Sequence, residues 1–264
     1  MTQFVPISAE QHASLRWRRY TSYGFAQQTH LAAVVGAELP KAAMSLPIAL
    51  IPRSGATGGQ SEDKPGYMFV ALLGLEPSVN LFVAPDGRWL GRYIPAALRG
   101  HPFRLAQAGE DKLALCVDQD SGLIGEDGDE PFFDQNNEVA EPVKQVMEFL
   151  TQIERNRTAT LGICDRLQAQ GLIQPWPVKL QGADGGERTL EGLFRIDEAA
   201  LNALSAEGLA ELRDAGALSL AYCQLLSMQQ LSLLGELAQA RAAQAPKLDD
   251  VFSFPDDDLL HFGD

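Results

Sequence analysis

The chain holds 264 residues, 45% of them hydrophobic and 21% charged. That is enough apolar material for a full core and too little charge for wholesale disorder. Lys and Arg number 21 against 35 Asp and Glu, a formal net charge of −14; phosphate backbones and anionic lipid both attract basic side chains, so nucleic acid and membrane surfaces are disfavoured partners.

The opening MTQFVPISAEQHASLRWRRY has no basic start leading into an apolar stretch and a small-residue cleavage site, which predicts a cytoplasmic protein. Residues 47–51 (PIALI) read as a short strand closed by Pro52. The polar run 53–66 follows as a loop. Its Gly55, Gly58 and Gly59 lack the Lys-Ser/Thr that a phosphate-cradling loop requires. Residues 67–75 and 80–84 read as strands, and Pro85-Asp86-Gly87 is strong turn chemistry, with Pro presetting φ and Asp-Gly tolerating a positive one. A strand after that turn would face Arg88, Leu90 and Arg92 one way and Trp89 and Tyr93 the other. Residues 103–105 and 112–117 continue the strand pattern, joined through 108–111.

From Val143 the period changes: Val146, Phe149, Leu150, Ile153, Leu161, Cys164 and Leu167 recur at helical steps, with Pro142 suited to the first turn and Gly171 to the exit. A hairpin is expected from 178–181 and 189–196 about a turn at 183–186. Asp197 and Ser205 are placed to cap the helices that follow. Gly216 precedes a last helix over 217–243, expected to turn Leu218, Tyr222, Leu225, Leu226, Leu233, Leu234 and Leu237 inward. Gln224, Gln229, Gln230 and Glu236 interrupt its apolar run, which makes it a core helix and not a membrane span. The class is α+β. A strand-rich half with hairpins (30–120) and a helix-rich half (140–245) form one domain, 1–245, before an acidic, disordered tail, 246–264.

Cys116, Cys164 and Cys223 form no CxxC pair and sit in apolar settings, the pattern of buried thiols in a reducing compartment. The acidity is local. Residues 110–141 sum to −10 and the tail to −5, leaving about +1 on the rest. Such runs read as a solvated loop and a solvated tail. Two sharper readings compete. Asp118 and Asp120 match the first two ligand positions of a calcium loop, although Leu123 stands where that loop needs Gly. In the tail, Phe252, Phe254, Leu259, Leu260 and Phe262 are interleaved with Asp, as in a peptide that docks on an apolar, basic groove of a partner.

His12, His30, His101 and His261 lack metal-ligand spacing, and there is no GxSxG elbow, Walker loop or dinucleotide fingerprint. The densest polar-aromatic run is 80–103. Its Asn80, Asp86, Arg88, Trp89, Arg92, Tyr93 and His101 are candidate binding residues, because Arg beside aromatics suits protein interfaces and anionic pockets. The same residues also read as structural, with the aromatics plugging a core and the arginines paired with the acidic loop.

The runs NLFVAPDGRWLGRYIPAALRGHPF (80–103) and LALCVDQDSGLI (113–124) resemble the SapC family of bacterial proteins. The likeness extends through Glu148, Glu154, Arg155 and Arg157, LEGLFRIDEAALNAL (190–204) and ALSLAYCQLLSMQQLSLL (217–234), covering about 30–240. The resemblance implies a link, by name, to a paracrystalline surface layer and serum resistance. It also implies a gene neighbourhood of flavin-dependent halogenase-like enzymes, cupin-like proteins and outer-membrane receptors. No catalytic residue or cofactor comes with it. The expectation is a non-catalytic, soluble accessory protein whose partner is a halogenase-like or cupin-like protein. The alternative is a small-molecule-binding protein or enzyme of such an operon, with Arg88, Arg92, Tyr93 and His101 lining a pocket.

Overall fold

A computed structural model describes residues 3–53, 66–109, 112–181 and 187–244. Its larger sheet is antiparallel, in the spatial order Ile173–Pro175, Phe194–Ile196, Ile48–Pro52, Tyr67–Leu72, Leu31–Ala33. Ile48, Ala49 and Leu50 lie opposite Ala71, Val70 and Phe69, and all six are buried. Neighbouring residues of a strand point to opposite faces, so unbroken burial means that both faces are covered, and the sequence accordingly runs apolar without alternation. The helix Glu141–Ala169 lies against Tyr67–Leu72, and Ala217–Ser227 lies against Ile48–Pro52 and Phe194–Ile196.

A second, smaller core gathers Trp17, Phe103, Leu115, Val117, Phe132 and Val143. It sits on the sheet Phe4–Pro6, Leu113–Asp118, Phe103–Gln107. Trp17 meets Phe103 edge-on, their ring centres 4.8 Å apart. The long helix serves both cores, with Val143, Val146 and Leu150 in the small one and Cys164 and Leu167 in the large one.

Part of the acidic segment is built into this second core. Ile124–Gly125 and Glu130–Pro131 flank the strand Arg16–Trp17 on its two edges. Arg16 Nε donates to the Gly128 carbonyl at 2.7 Å, and Arg18 pairs with Asp127 at 3.1 Å. A Cβ on Gly128 would lie 2.6 Å from the Arg16 carbonyl carbon, so only glycine fits there. Arg16 and Arg18 near the N-terminus are thus the counterpart of the acidic loop, a pairing of residues over a hundred positions apart.

Where Phe194–Ile196 meets Ile48–Pro52, the ladder holds only at Phe194 opposite Leu50. Two residues on, Ile196 and Ile48 would be the next partners, and Gln224 of the last helices stands between them. Its Oε1 accepts from Ile196 N–H and its Nε2 donates to the Ile48 carbonyl, both at 2.9 Å. Ser227 Oγ accepts from Ile48 N–H at 3.1 Å and donates to the Gln224 carbonyl at 2.6 Å. A primary amide carries a donor and an acceptor side by side, so it extends a ladder that the backbones are too far apart to close.

The strands at 48–52, 67–72, 103–107 and 113–118 and the helix at 141–169 match the sequence reading closely. Gly171 leaves that helix at φ 69°, and Asp197 and Ser205 accept from Ala200 N–H and Gly208 N–H as caps. Four details differ. Residues 80–84 make a single bridge, Val83 with Trp89, in place of a strand. The expected strand 189–196 divides at Gly192, φ 80°. Its first part, in Glu187–Leu190, pairs with Val178–Gln181, and its second joins the large sheet. The last helix breaks into Ala217–Ser227, the 3-10 turn Met228–Gln230 and Leu231–Gln244. Its buried face carries Leu220, Ala221, Gln224 and Ser227, while Tyr222 and Leu226 point out, 43% and 69% exposed. Leu234 is buried and Leu218, Leu225, Leu233 and Leu237 pack against the core as expected, so the stripe fails only at Tyr222 and Leu226, because hydrophobicity alone cannot register a buried amide.

Cys116 and Cys164 are buried and Cys223 half-buried, all three free thiols. Burial pushes the Cys164 thiol up to about 12, so it remains protonated and inert. No helix among the described residues is long and apolar enough to cross a membrane. The turns at 110–111 and 183–186, most of the loop 53–66 and the tail 246–264 lie outside the described residues.

Candidate functional site

The polar-aromatic run folds as a tight turn followed by a short helix, Ala96–Arg99. Gly87 takes φ 83°, and a Cβ there would lie 1.9 Å from Ser22 Oγ, so the Asp-Gly turn needs glycine for both conformation and space. Asp86 accepts from Arg88 N–H at 3.0 Å and from Arg88 Nε at 2.6 Å. That pair holds the Asp86 carboxyl below its usual range, and both residues remain exposed. Leu90 and Arg92 stand exposed on the same turn.

The other candidates turn inward. Asn80 is fully buried; it donates to the Ala26 carbonyl at 3.0 Å and accepts from Phe82 N–H at 2.9 Å. Trp89 stacks on Phe82, ring centres 5.5 Å apart, and its indole N–H donates to the Tyr93 carbonyl at 3.0 Å. Tyr93 Oη donates to Glu38 at 2.7 Å; burial and this bond raise the phenol well above its usual value, so it stays a donor. His101 stacks on Phe25 at 3.8 Å beside Tyr20, and burial lowers its pKa while the Asp118 charge opposes that shift. Burial also carries the Tyr20 phenol up to about 12, with Tyr23 adding to it.

Glu38 was not among the residues singled out from the sequence. Its buried carboxylate accepts from Val35 N–H at 3.1 Å, Ala96 N–H at 2.7 Å and Tyr93 Oη, with Arg99 3.8 Å away. Arg99 in turn covers the rings of Tyr93 and Phe149. The signal for Glu38 was present: it is the sole acid in the apolar stretch 31–52. A lone carboxylate among apolar neighbours is retained where it answers donors. Here it ties the turn at 35–39 to the start of the helix at 96–99.

Two clefts border these residues. One, about 120 Å³, is lined mainly by apolar groups around Val34, Phe69 and Ile153, with Glu38, Arg157 and Thr160 on its wall. The other, about 320 Å³, runs between the exposed turn and the last helix; Leu81, Val83, Leu90 and Leu237 form its apolar surface, and Arg88 and Arg241 flank it. Of the four residues expected to share a pocket, Arg88 lines the second cleft. Arg92, Tyr93 and His101 line neither. Chemically, Glu38 is an acceptor saturated by its own fold, whereas the second cleft offers guanidinium groups beside the exposed Leu90 and half-buried Leu237, the combination that accepts a carboxylate next to a hydrophobic side chain.

Asp118 Oδ1 accepts from Asp120 N–H at 3.1 Å, capping the short turn Gln119–Ser121. Among the described residues no group of three or more His, Cys, Asp and Glu side chains is gathered as a metal ion would need. Phe252, Phe254, Leu259, Leu260 and Phe262 lie outside the described residues.

The SapC family model matches residues 7–234. No curated protein matches the chain, and no solved structure does.

Proposed function

The chain belongs to the SapC family, and from that premise we propose that it is a non-catalytic accessory protein that works by binding another protein. The observation that carries the reading is the turn 85–92. Leu90 is 47% exposed, with Arg88 and Arg92 beside it, while the frame underneath is locked by Gly87, Asn80 and the Trp89–Phe82 stack. Arginine is enriched among the residues that carry binding energy at interfaces, an exposed leucine beside it adds apolar area to bury, and a pre-ordered loop loses little entropy on binding. The partner the family neighbourhood suggests is a flavin-dependent halogenase-like or cupin-like protein, with the tail residues 246–264 as a further contact.

The test is light scattering coupled to gel filtration, with the intact protein mixed in turn with a flavin-dependent halogenase-like and a cupin-like protein from the same organism. A discrete complex is expected, weakened at least tenfold by Leu90→Asp together with Arg92→Glu. If no complex forms at concentrations near 50 μM, where a micromolar Kd would saturate, the reading fails.

A second reading, a small-molecule-binding protein, draws on the cleft beside Glu38. A ligand that fills it would raise the melting temperature by mass action. Filling the cleft by Ala33→Phe would remove that rise.

A further inference from the structure

The second cleft and the C-terminal tail are complementary, and they are neighbours. Leu231–Gln244 supplies one wall through Leu237, Ala240 and Arg241; the turn supplies the other through Leu81, Val83, Ala84, Pro85, Arg88 and Leu90. The charged groups on this cleft are Asp86 and Arg88, which pair with each other, and Arg241, so its lining carries one net positive charge. Arg241 Nη1 donates to the Asn80 carbonyl at 3.0 Å, which holds its guanidinium across the cleft from the last helix to the turn.

The described chain ends at Gln244, on the helix that forms the wall. Residues 246–264 carry six Asp against Lys247, with Phe252, Phe254, Leu259, Leu260 and Phe262 spaced among them. From Leu237 to Gln244 the helix advances roughly 10 Å, and the residues between Gln244 and Phe252 can span roughly 27 Å when extended. Phe252 and Phe254 can therefore double back along the helix to the cleft. A tail tethered this close faces an effective concentration near the millimolar range, enough to fill a site that a free peptide would bind weakly.

We infer that the C-terminal tail of the same chain docks in the cleft between the turn 81–90 and the helix Leu231–Gln244, its Phe side chains on Leu90 and Leu237 and its Asp residues on Arg88 and Arg241. The inference does not depend on any outside partner. In the free protein the tail covers Leu90 and Arg88, and a protein that engages the turn has to displace it.

The experiment uses the full chain alone, with Leu90→p-benzoylphenylalanine as a photo-crosslinking probe and the products mapped by mass spectrometry. Cross-links within one molecule to residues 249–262 are expected, with a yield that does not change on tenfold dilution. Replacing Phe252, Phe254, Leu259, Leu260 and Phe262 together by Ser should lower that yield at least tenfold. Arg88→Glu, at an exposed position, should lower it several-fold at low salt, and 0.5 M salt should lower it in the parent chain. Two results would overturn the inference: a yield equal in the parent chain and the five-Ser variant, or cross-links confined to covalent dimers, which would assign the cleft to a second copy. Circular dichroism of each variant separates loss of docking from loss of fold. Because no other protein is present, failure here leaves the partner experiment above unaffected.

Discussion

The turn segment 80–103 and the terminal helices 217–244 invert one another. The first has the composition of a binding motif, yet most of its polar groups are spent on the fold: Asn80 on the Ala26 carbonyl and Phe82 N–H, Trp89 on the Tyr93 carbonyl, Tyr93 on Glu38. The second has the composition of a core stripe, yet it buries Gln224 and Ser227 and turns Leu226 and Tyr222 out. The lesson is that backbone hydrogen bonding decides which side chains go inside. An unpaired backbone group in the interior costs about as much as burying a methylene or two contributes, so a side chain that satisfies it wins the inward position.

The comparison breaks first, and by the largest amount, at Gln224. Gln224→Leu keeps the volume but strands Ile48 C=O and Ile196 N–H inside the sheet, at about 1–3 kcal/mol each. Urea unfolding should show a loss on the order of 4 kcal/mol with an unchanged slope. A loss under about 1 kcal/mol would mean that the amide is dispensable and the inversion superficial.

Glu38→Ala should come next. It leaves Val35 N–H, Ala96 N–H and Tyr93 Oη without their acceptor, a loss on the order of 3 kcal/mol, and it should loosen the turn enough to raise proteolysis near Arg92. Glu38→Gln, which keeps an acceptor oxygen, should recover part of it.

A smaller effect sharpens the picture at His101. Burial lowers its pKa in the folded protein, while the unfolded chain keeps the ordinary value near 6.5. On acidification the unfolded state takes up this proton first, so stability is unaffected above about pH 6.5 and declines below it. His101→Phe preserves a ring against Phe25 and removes the proton, so its melting temperature should fall less than the parent's between pH 7.5 and 5.5. Equal falls would show that the stack does not exclude the charged imidazole.

The smallest effect belongs to the apolar side chain left outside. Leu226→Ser should change stability by no more than about 0.5 kcal/mol, measured in the same urea series. A loss above about 1.5 kcal/mol would show that this face packs against something in solution.

Much of the fold was legible because it is local. The strands at 48–52 and 67–72 are unbroken apolar runs; the helix at 141–169 has a helical period and a proline in its first turn; the Asp-Gly turn, the Asp197 and Ser205 caps and the Gly171 exit are short-range chemistry. Leu31–Ala33, Arg16–Trp17 and Ile173–Pro175 escaped notice because two or three residues are too few to show a period of two. Of the candidate site, the turn with Arg88 and Arg92 was legible as exposed and polar. Glu38 stood out only as a lone acid among apolar residues, and its role and that of Arg241 were not legible, since each takes its meaning from a partner 55 and 161 positions away.

By itself the sequence determined the class, the order of strands before helices, the location of the acidity and the family, all of which depend on composition, on spacing within a few residues or on a motif. Only the tertiary structure decided that the acidic loop is held by Arg16 and Arg18, that an amide completes the central sheet, and that the last helix forms a cleft with the exposed turn. Those outcomes come from pairing donors with acceptors across the whole chain, and sequence separation carries no information about which orphan meets which.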